Sequence, residues 1–274
     1  MTNEDRFKNH IIADLGDRLI RDLGRDDLQA MLDRKAADGF SYSLVAHLRW
    51  DLKQMLDLAF SEVLVPRNPA TILFVPRGVP RPSHRVMNFE EVKKLLGLLE
   101  QRERLISMLA ILVGMRPGEI FGLKWGKLGG KHAEIHQRVY RGQVDSPKTH
   151  HSLRQVALPK VLIWEIESWR RLSLDTRPEA WGFPSETGKT PITKDNCWQR
   201  HIDLKLEPEG LGWVNFQVMR RTHSTLMSFL KVDPRLVADQ MGHTLDVNQN
   251  IYTLALLERR LEAVNLLESA VTLT

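Results

Sequence analysis

Apolar residues recur at helical spacing through the first sixty or so positions of the chain and return, in shorter blocks, from residue 88 onward. Residues 5–64 read as helical. Asp26 and Asp27 stand ahead of Leu28, Met31 and Leu32, placing acidic side chains at a helix N-terminus where the backbone dipole favours them, and Gly39 ends that helix. Ser41 is positioned to cap a long amphipathic helix through Leu44, Leu48, Leu52, Met55, Leu56, Ala59 and Val63, stopped by Pro66 and Pro69.

The pattern then breaks. Pro66, Pro69, Pro76, Pro80 and Pro82 fall within 66–87, interleaved with Arg67, Arg77, Arg81 and Arg85. Proline blocks both helix and ladder, so this stretch reads as a stiff linker, and its arginines are placed to follow a duplex backbone. It divides a helical domain over 1–80, with linker to about 87, from a second domain over 88–274. In the second domain Asn88 caps a helix through Leu99, and residues 102–114 form another. Pro117 suits the first turn of a helix over 117–124, which leaves Arg116 at the junction. Residues 133–158 alternate, with Gly142, Pro147 and β-branched side chains, and predict a short antiparallel sheet. Helical spacing resumes over 159–172, 194–204, 215–231, 234–241 and 253–269. The expected fold is mainly α with a small antiparallel β-sheet.

Composition narrows the function. Hydrophobic content of 42% and charged content of 27% are ordinary for a globular protein of 274 residues, a length for one or two domains. Neither a membrane-length apolar run nor a signal-peptide centre occurs, so a cytoplasmic enzyme is expected. Cys197 is the single cysteine, which rules out an internal disulfide framework, and nothing around it resembles a Cys/His zinc cage. Net charge is +5, but its distribution says more: residues 81–160 carry 15 basic against 7 acidic side chains, while 1–80 carry 11 against 12 and 161–274 carry 13 against 15. A solvated basic face would explain this blandly. Because the surplus surrounds Arg116 and Lys148, a groove for a phosphate backbone is the better reading, with Arg77, Arg81, Arg85, Lys124, Arg141 and Arg154 as candidate DNA contacts.

The candidate chemistry is spread over the second domain. Arg116 lies in Gly-Met-Arg-Pro-Gly-Glu, three residues before Glu119; Lys148 follows in Ser-Pro-Lys-Thr, a turn-like segment. Arg220 stands in Gln217-Val218-Met219-Arg220-Arg221-Thr222, and Gly242-His243 precedes Tyr252 by nine residues. Attack on a phosphodiester builds negative charge on two non-bridging oxygens, and planar, always-charged guanidiniums answer it with forked donors. Glu119 at i,i+3 makes a common, weak helical pair with Arg116, and the same spacing lets it orient that arginine for this task. A lysine beside cations has its pKa lowered enough to protonate a leaving alkoxide. Phenol, with a pKa of about 10, needs a positive, hydrogen-bonding field to act as nucleophile. Gly188-Lys189-Thr190 imitates the end of a phosphate-binding loop, but the glycine required upstream is Phe183; His150-His151 lack partners at metal-ligand spacing.

Each of these residues alone has a structural explanation. Together, Arg116, Lys148, Arg220, His243 and Tyr252 in this order resemble the signature of the tyrosine recombinase (phage integrase) family. The resemblance spans nearly the whole chain. It implies a helical core-binding domain over 1–80, ending in Arg67-Asn68-Pro69, and a mixed α/β catalytic domain beyond it. It further implies that Tyr252 attacks a DNA phosphate to give a 3′-phosphotyrosyl link, with neither cofactor, ATP nor metal. Implied partners are double-stranded DNA, further copies of the chain as a tetramer on two duplexes, and an accessory DNA-bending protein. Leu254, Leu257, Leu261, Val264 and Leu267 give 254–269 an apolar stripe fit for docking on a neighbouring subunit or on the chain's own core.

Two departures are visible. Gln217 stands where the family usually has histidine; it can bond a phosphate oxygen but cannot shuttle a proton, so proton acceptance would fall to His243 or water. Arg221 likewise occupies a place where histidine is common. The sequence also starts too late for the additional N-terminal arm-site domain of longer integrases, as expected of a naturally short recombinase or a fragment. Alternative functions are a DNA-binding relic that holds sites without cutting them and a type IB topoisomerase-like enzyme.

Overall fold

The computed structural model describes residues 2–81, 84–145 and 153–243, and the chain divides into two compact units, Met1–His84 and Arg85–Thr274. The first begins with helix α1, formed by contiguous pieces Asn3–Arg6, Phe7–Ile12 (a π-helical turn) and Ala13–Leu15. A 3₁₀ turn at Ile20–Asp22 leads to α2 (Arg25–Ala37), whose Asp27 carboxylate accepts the Gly24 N–H at 2.9 Å. Helix α3 (Tyr42–Ser61) is capped by Ser41, as its sequence predicts. Leu28, Met31 and Leu32 of α2 share a core with Leu48, Leu52 and Leu56 of α3. Arg6 of α1 grips Asp51 of α3 with both Nε (2.5 Å) and Nη2 (2.9 Å), so a fully paired charge is buried between them.

Two expectations for this unit need correction. Helix α3 ends at Ser61, before the prolines, and Val63 is 88% exposed instead of packed. The stop is made by the backbone: Leu64 N–H donates to Ala59 O (2.9 Å) and Val63 N–H to Phe60 O (3.1 Å), with Val63 in the left-handed region at φ 59°. That is a glycine-type helix terminus occupied by valine, so no glycine signals it. The linker also begins later than residue 66. Asn68 donates to Lys53 O and Asp57 Oδ1 on α3, Gln29 exchanges two hydrogen bonds with the Phe74 backbone, and Ala70 and Leu73 enter the core.

The second unit opens with α4 (Phe89–Leu98), where Asn88 and Glu91 exchange side-chain and backbone bonds at 2.8 and 2.9 Å. Helix α5 (Gln101–Leu112) is buried almost all round, and its partner in packing is α9 (Phe216–Phe229). Between them in sequence come α6 (Pro117–Phe121), shorter than the 117–124 expected, a sheet, α7 (Lys160–Leu172), and α8, built from Lys194–Cys197, Trp198–Ile202 and Asp203–Leu206. Helix α10 (Pro234–Met241) follows α9.

Strands β1 (Leu128–Gly129), β2 (His132–Ile135) and β5 (Arg154–Ala157) form an antiparallel sheet in the order β1-β2-β5 that starts a few residues earlier than expected. Strands β3 (Arg138–Tyr140) and β4 (Gln143–Asp145) make a separate hairpin turned by Arg141 and Gly142, both at positive φ. Gly188-Lys189-Thr190 sits in an exposed turn closed by Ser185 N–H to Thr190 O at 2.8 Å, unlike a phosphate cradle. Among the described residues no helix is long and apolar enough to cross a membrane.

Candidate active site

The site is assembled where three backbone termini meet: the turn after α5, the start of α6 and the end of α10. Gly114 closes α5 at φ +72°, and a Cβ there would stand 2.7 Å from His223 Cδ2. Arg116 is the N-cap of α6, with Pro117 in the first turn as expected, and its backbone N–H donates to Glu119 Oε2 at 2.9 Å. Its side chain donates from Nη1 to Glu119 Oε1 (2.8 Å) and from Nη2 to Gly242 O (2.9 Å), while remaining 37% exposed. Arg220, on α9 and 3% exposed, donates to Gly114 O, to Met241 O at 2.7 Å, and to His243 Nε2 at 2.5 Å. Thus Arg116, Arg220 and His243, far apart in sequence, converge on one turn.

The turn owes its shape to Gly242, the left-handed C-terminal residue of α10 at φ +65°. It leaves the Met241 and Gly242 carbonyls pointing at guanidiniums instead of closing the helix. His243 accepts at Nε2, which assigns the ring proton to Nδ1 in the neutral form. Burial, then the charges of Arg220, Arg116 and Arg154, push its pKa from 6.5 down to about 3, against the opposing pull of Glu119.

Glu119 is the counter-charge. Burial alone would raise its pKa, but the hydrogen bonds and charge of Arg154, with the charges of Arg116 and Arg220, outweigh that and hold it at about 2. His223 lies on α9 one turn beyond Arg220, donates from Nδ1 to Ile111 O at 2.9 Å, and is lowered to about 4, first by burial. Cys197 is buried, and burial followed by the charge of Glu103 pushes its thiol up to about 12, making it unreactive. Among the described residues no group of histidine, cysteine or carboxylate side chains is arranged to hold a metal ion.

The other sequence candidates fare differently. Gln217 is exposed on the first turn of α9, its backbone N–H bonded to Asn215 Oδ1 at 2.9 Å. Lys148, Tyr252 and the 254–269 stripe lie outside the described residues. Of the proposed DNA contacts, Arg77 is exposed, Arg81 lies over the Tyr42 ring at 5.2 Å, Lys124 over Trp181 at 4.9 Å and Arg141 over Tyr140 at 5.6 Å. Arg85 stacks on Trp213 at 3.6 Å and pairs with Glu91, so it is engaged within its own unit. Arg154 departs from its expected place on an open groove. Its side chain is 8% exposed and forked onto Glu119, because strand alternation puts it on the same inward face as Val156. Gln240 and His223 were not singled out by sequence, and the alternation Arg154, Val156, Leu158 was the available clue to the inward placement of Arg154.

Comparison with known proteins places the chain in a family. The model of the phage integrase family matches residues 85–258. The chain belongs to that family. It is a site-specific recombinase of the tyrosine class. It is similar to a XerC-like tyrosine recombinase of Caldanaerobacter subterraneus, 24% identical over 96% of this chain and 76% of that protein. The ICEBs1 integrase of Bacillus subtilis is 26% identical over 83% of this chain and 69% of its own length. The Tn1549 transposon integrase, solved in complex with transposon right end DNA, superposes with a TM-score of 0.82 at 17% identity, covering 96% of this chain and 91% of that one. At that identity the likeness establishes the fold.

Proposed function

We propose that this recombinase binds double-stranded DNA and exchanges strands through a 3′-phosphotyrosine intermediate made by Tyr252. The observation that carries the reading is the convergence of Arg116 and Arg220 on the Met241–Gly242 carbonyls, with Arg220 also donating to His243, which stands nine residues ahead of Tyr252 in sequence. Family membership and the DNA complex of the Tn1549 integrase support it.

In this mechanism Arg116, the more exposed guanidinium, donates to a non-bridging oxygen of the scissile phosphate, and buried Arg220 supplies charge and holds His243. Tyr252 Oη attacks phosphorus, its proton passing to His243 or water. The P–O5′ bond breaks, and Lys148 protonates the departing 5′-oxygen. A 5′-hydroxyl from a partner strand then attacks the phosphotyrosine, restoring the diester and the phenol. The covalent link conserves the bond energy, so no ATP-dependent step is required, and the guanidiniums supply the positive charge without calling on a metal. In the free protein His243 is neutral and a weak base; the phosphodiester monoanion at the site opposes the arginine field and raises its basicity. Gln217 holds a phosphate oxygen. Arg77, Arg81, Lys124 and Arg141 contact the DNA backbone, residues 1–80 clamp the duplex, and four copies assemble on two duplexes, aided by a DNA-bending protein.

The test is covalent trapping on nicked duplexes bearing candidate sites, with Tyr252→Phe as control and a chelator present. A denaturant-resistant protein–DNA adduct that disappears in Tyr252→Phe and survives chelation is expected. Tight site binding with no adduct would instead establish a DNA-binding relic.

A further inference from the structure

The buried guanidinium of Arg154 joins three elements that sequence keeps apart. From β5, its Nη1 and Nη2 donate to the two oxygens of Glu119 on α6, at 3.0 and 2.9 Å, and its Nε donates to Gln240 O on α10 at 3.0 Å. Glu119 passes the constraint onward, since the same two oxygens accept from the Arg116 side chain (2.8 Å) and backbone (2.9 Å). Gln240 passes it in the other direction. Its side-chain amide pairs with both backbone groups of Ala157, at 3.1 and 3.0 Å, so β5 and α10 are tied twice. The following turn is packed onto the same guanidinium: a Cβ on Gly242 would lie 2.8 Å from Arg154 Nη1.

We propose that Arg154 is a positioning residue for strand cleavage, fixing Arg116 through Glu119 and the Gly242–His243 turn through Gln240. Its fork sets the distance between the arginine proposed to meet the phosphate and the histidine proposed to take the nucleophile's proton. This assignment rests on the strand-cleavage reading above. A lysine could replace the charge but not the geometry, because one ammonium cannot span both Glu119 oxygens and the Gln240 carbonyl. Four charged groups face His243 from the surrounding elements: Arg116 and Glu119 from α6, Arg154 from β5 and Arg220 from α9. Removing Arg154 subtracts one positive charge from that field and leaves Glu119 less neutralised, so both changes favour protonation of His243.

The experiment uses the full chain with Arg154→Met and Arg154→Lys, each checked for folding by circular dichroism. Adduct formation on nicked DNA is timed, and the His243 ring is titrated by NMR without DNA. Both variants are expected to cleave about 10- to 100-fold more slowly, as misplaced catalytic groups do. His243 should titrate at higher pH in Arg154→Met than in the wild-type chain. A folded Arg154→Lys cleaving within about twofold of wild type would overturn the proposal. So would an unchanged His243 titration in Arg154→Met with only thermal stability lost. Should the wild-type chain form no adduct, the strand-cleavage reading fails on its own account, and the titration still decides whether Arg154 governs His243.

Discussion

Replacing Glu119 by glutamine removes one negative charge while keeping the side chain's shape, and it isolates what that charge contributes. Glu119 is 4% exposed and lies between Arg116 and Arg154, so solvent cannot take its place. Its pKa is held at about 2 against an ordinary 4.5, and at about 1.4 kcal/mol per pH unit this corresponds to about 3 kcal/mol of stabilisation. Breaking a buried pair costs about 3–5 kcal/mol by the independent route of mutational precedent, because the remaining guanidinium is left buried without its partner. The expected loss is therefore about 3 kcal/mol at neutral pH, or a fall of about 6–12 °C in Tm for a unit of this size. The sign of the pH dependence follows from the depressed pKa. The stabilisation is complete above the unfolded value of 4.5 and disappears as pH falls through about 2. Urea unfolding of the wild-type and Glu119→Gln chains, compared at pH 7 and pH 3, should show the gap shrinking to roughly half at the lower pH. A gap below about 1 kcal/mol at pH 7, or one identical at both pH values, would refute the electrostatic account.

Other outcomes follow from the same physics. His243 and His223 have folded pKa values of about 3 and 4 against an ordinary 6.5, so the unfolded chain binds protons first on acidification. Stability should be level above pH 6.5 and decline below it by about 1.4 kcal/mol per pH unit for each histidine, which urea midpoints between pH 7.5 and 4.5 would show; a flat profile there would contradict their burial as neutral rings. Val63→Gly should stabilise the first unit by about 1 kcal/mol, since exposed Val63 sits at φ 59° where a side chain is strained, and thermal melting would detect the opposite sign if the strain were absent. Gln217→His should accelerate cleavage if that exposed site limits proton transfer, whereas unchanged single-turnover rates would show that the proton path does not pass through it.

Local chemistry made the helices legible. Asn88 with Glu91, Ser41, and Pro117 at a first turn announce helix starts through short-range hydrogen bonds and fixed φ, which depend on neighbours in sequence. The order of Arg116, Arg220 and His243 likewise pointed to the family without any contact being known. The end of α3 was hidden because a backbone hydrogen-bond pattern placed valine where sequence rules look for glycine. Asn68 and Phe74 could not be assigned to the first unit from a proline count, because their partners on α2 and α3 are brought close only by folding.

The site divides along the same line. Sequence by itself determined which charged groups are available, because guanidinium, imidazole and phenol chemistry belongs to the side chain. Only the tertiary structure decided what each group faces. Arg154 read as one more cation in a basic stretch, yet the pairing of β5 with β2 turns it inward onto Glu119, and packing of α10 on β5 brings it the Gln240 carbonyl. The same packing half-buries His243 beside Arg220, and with the arginine charges keeps it neutral. Burial and charge proximity are sums over elements distant in sequence, which is why residue type named the participants and the fold assigned their roles.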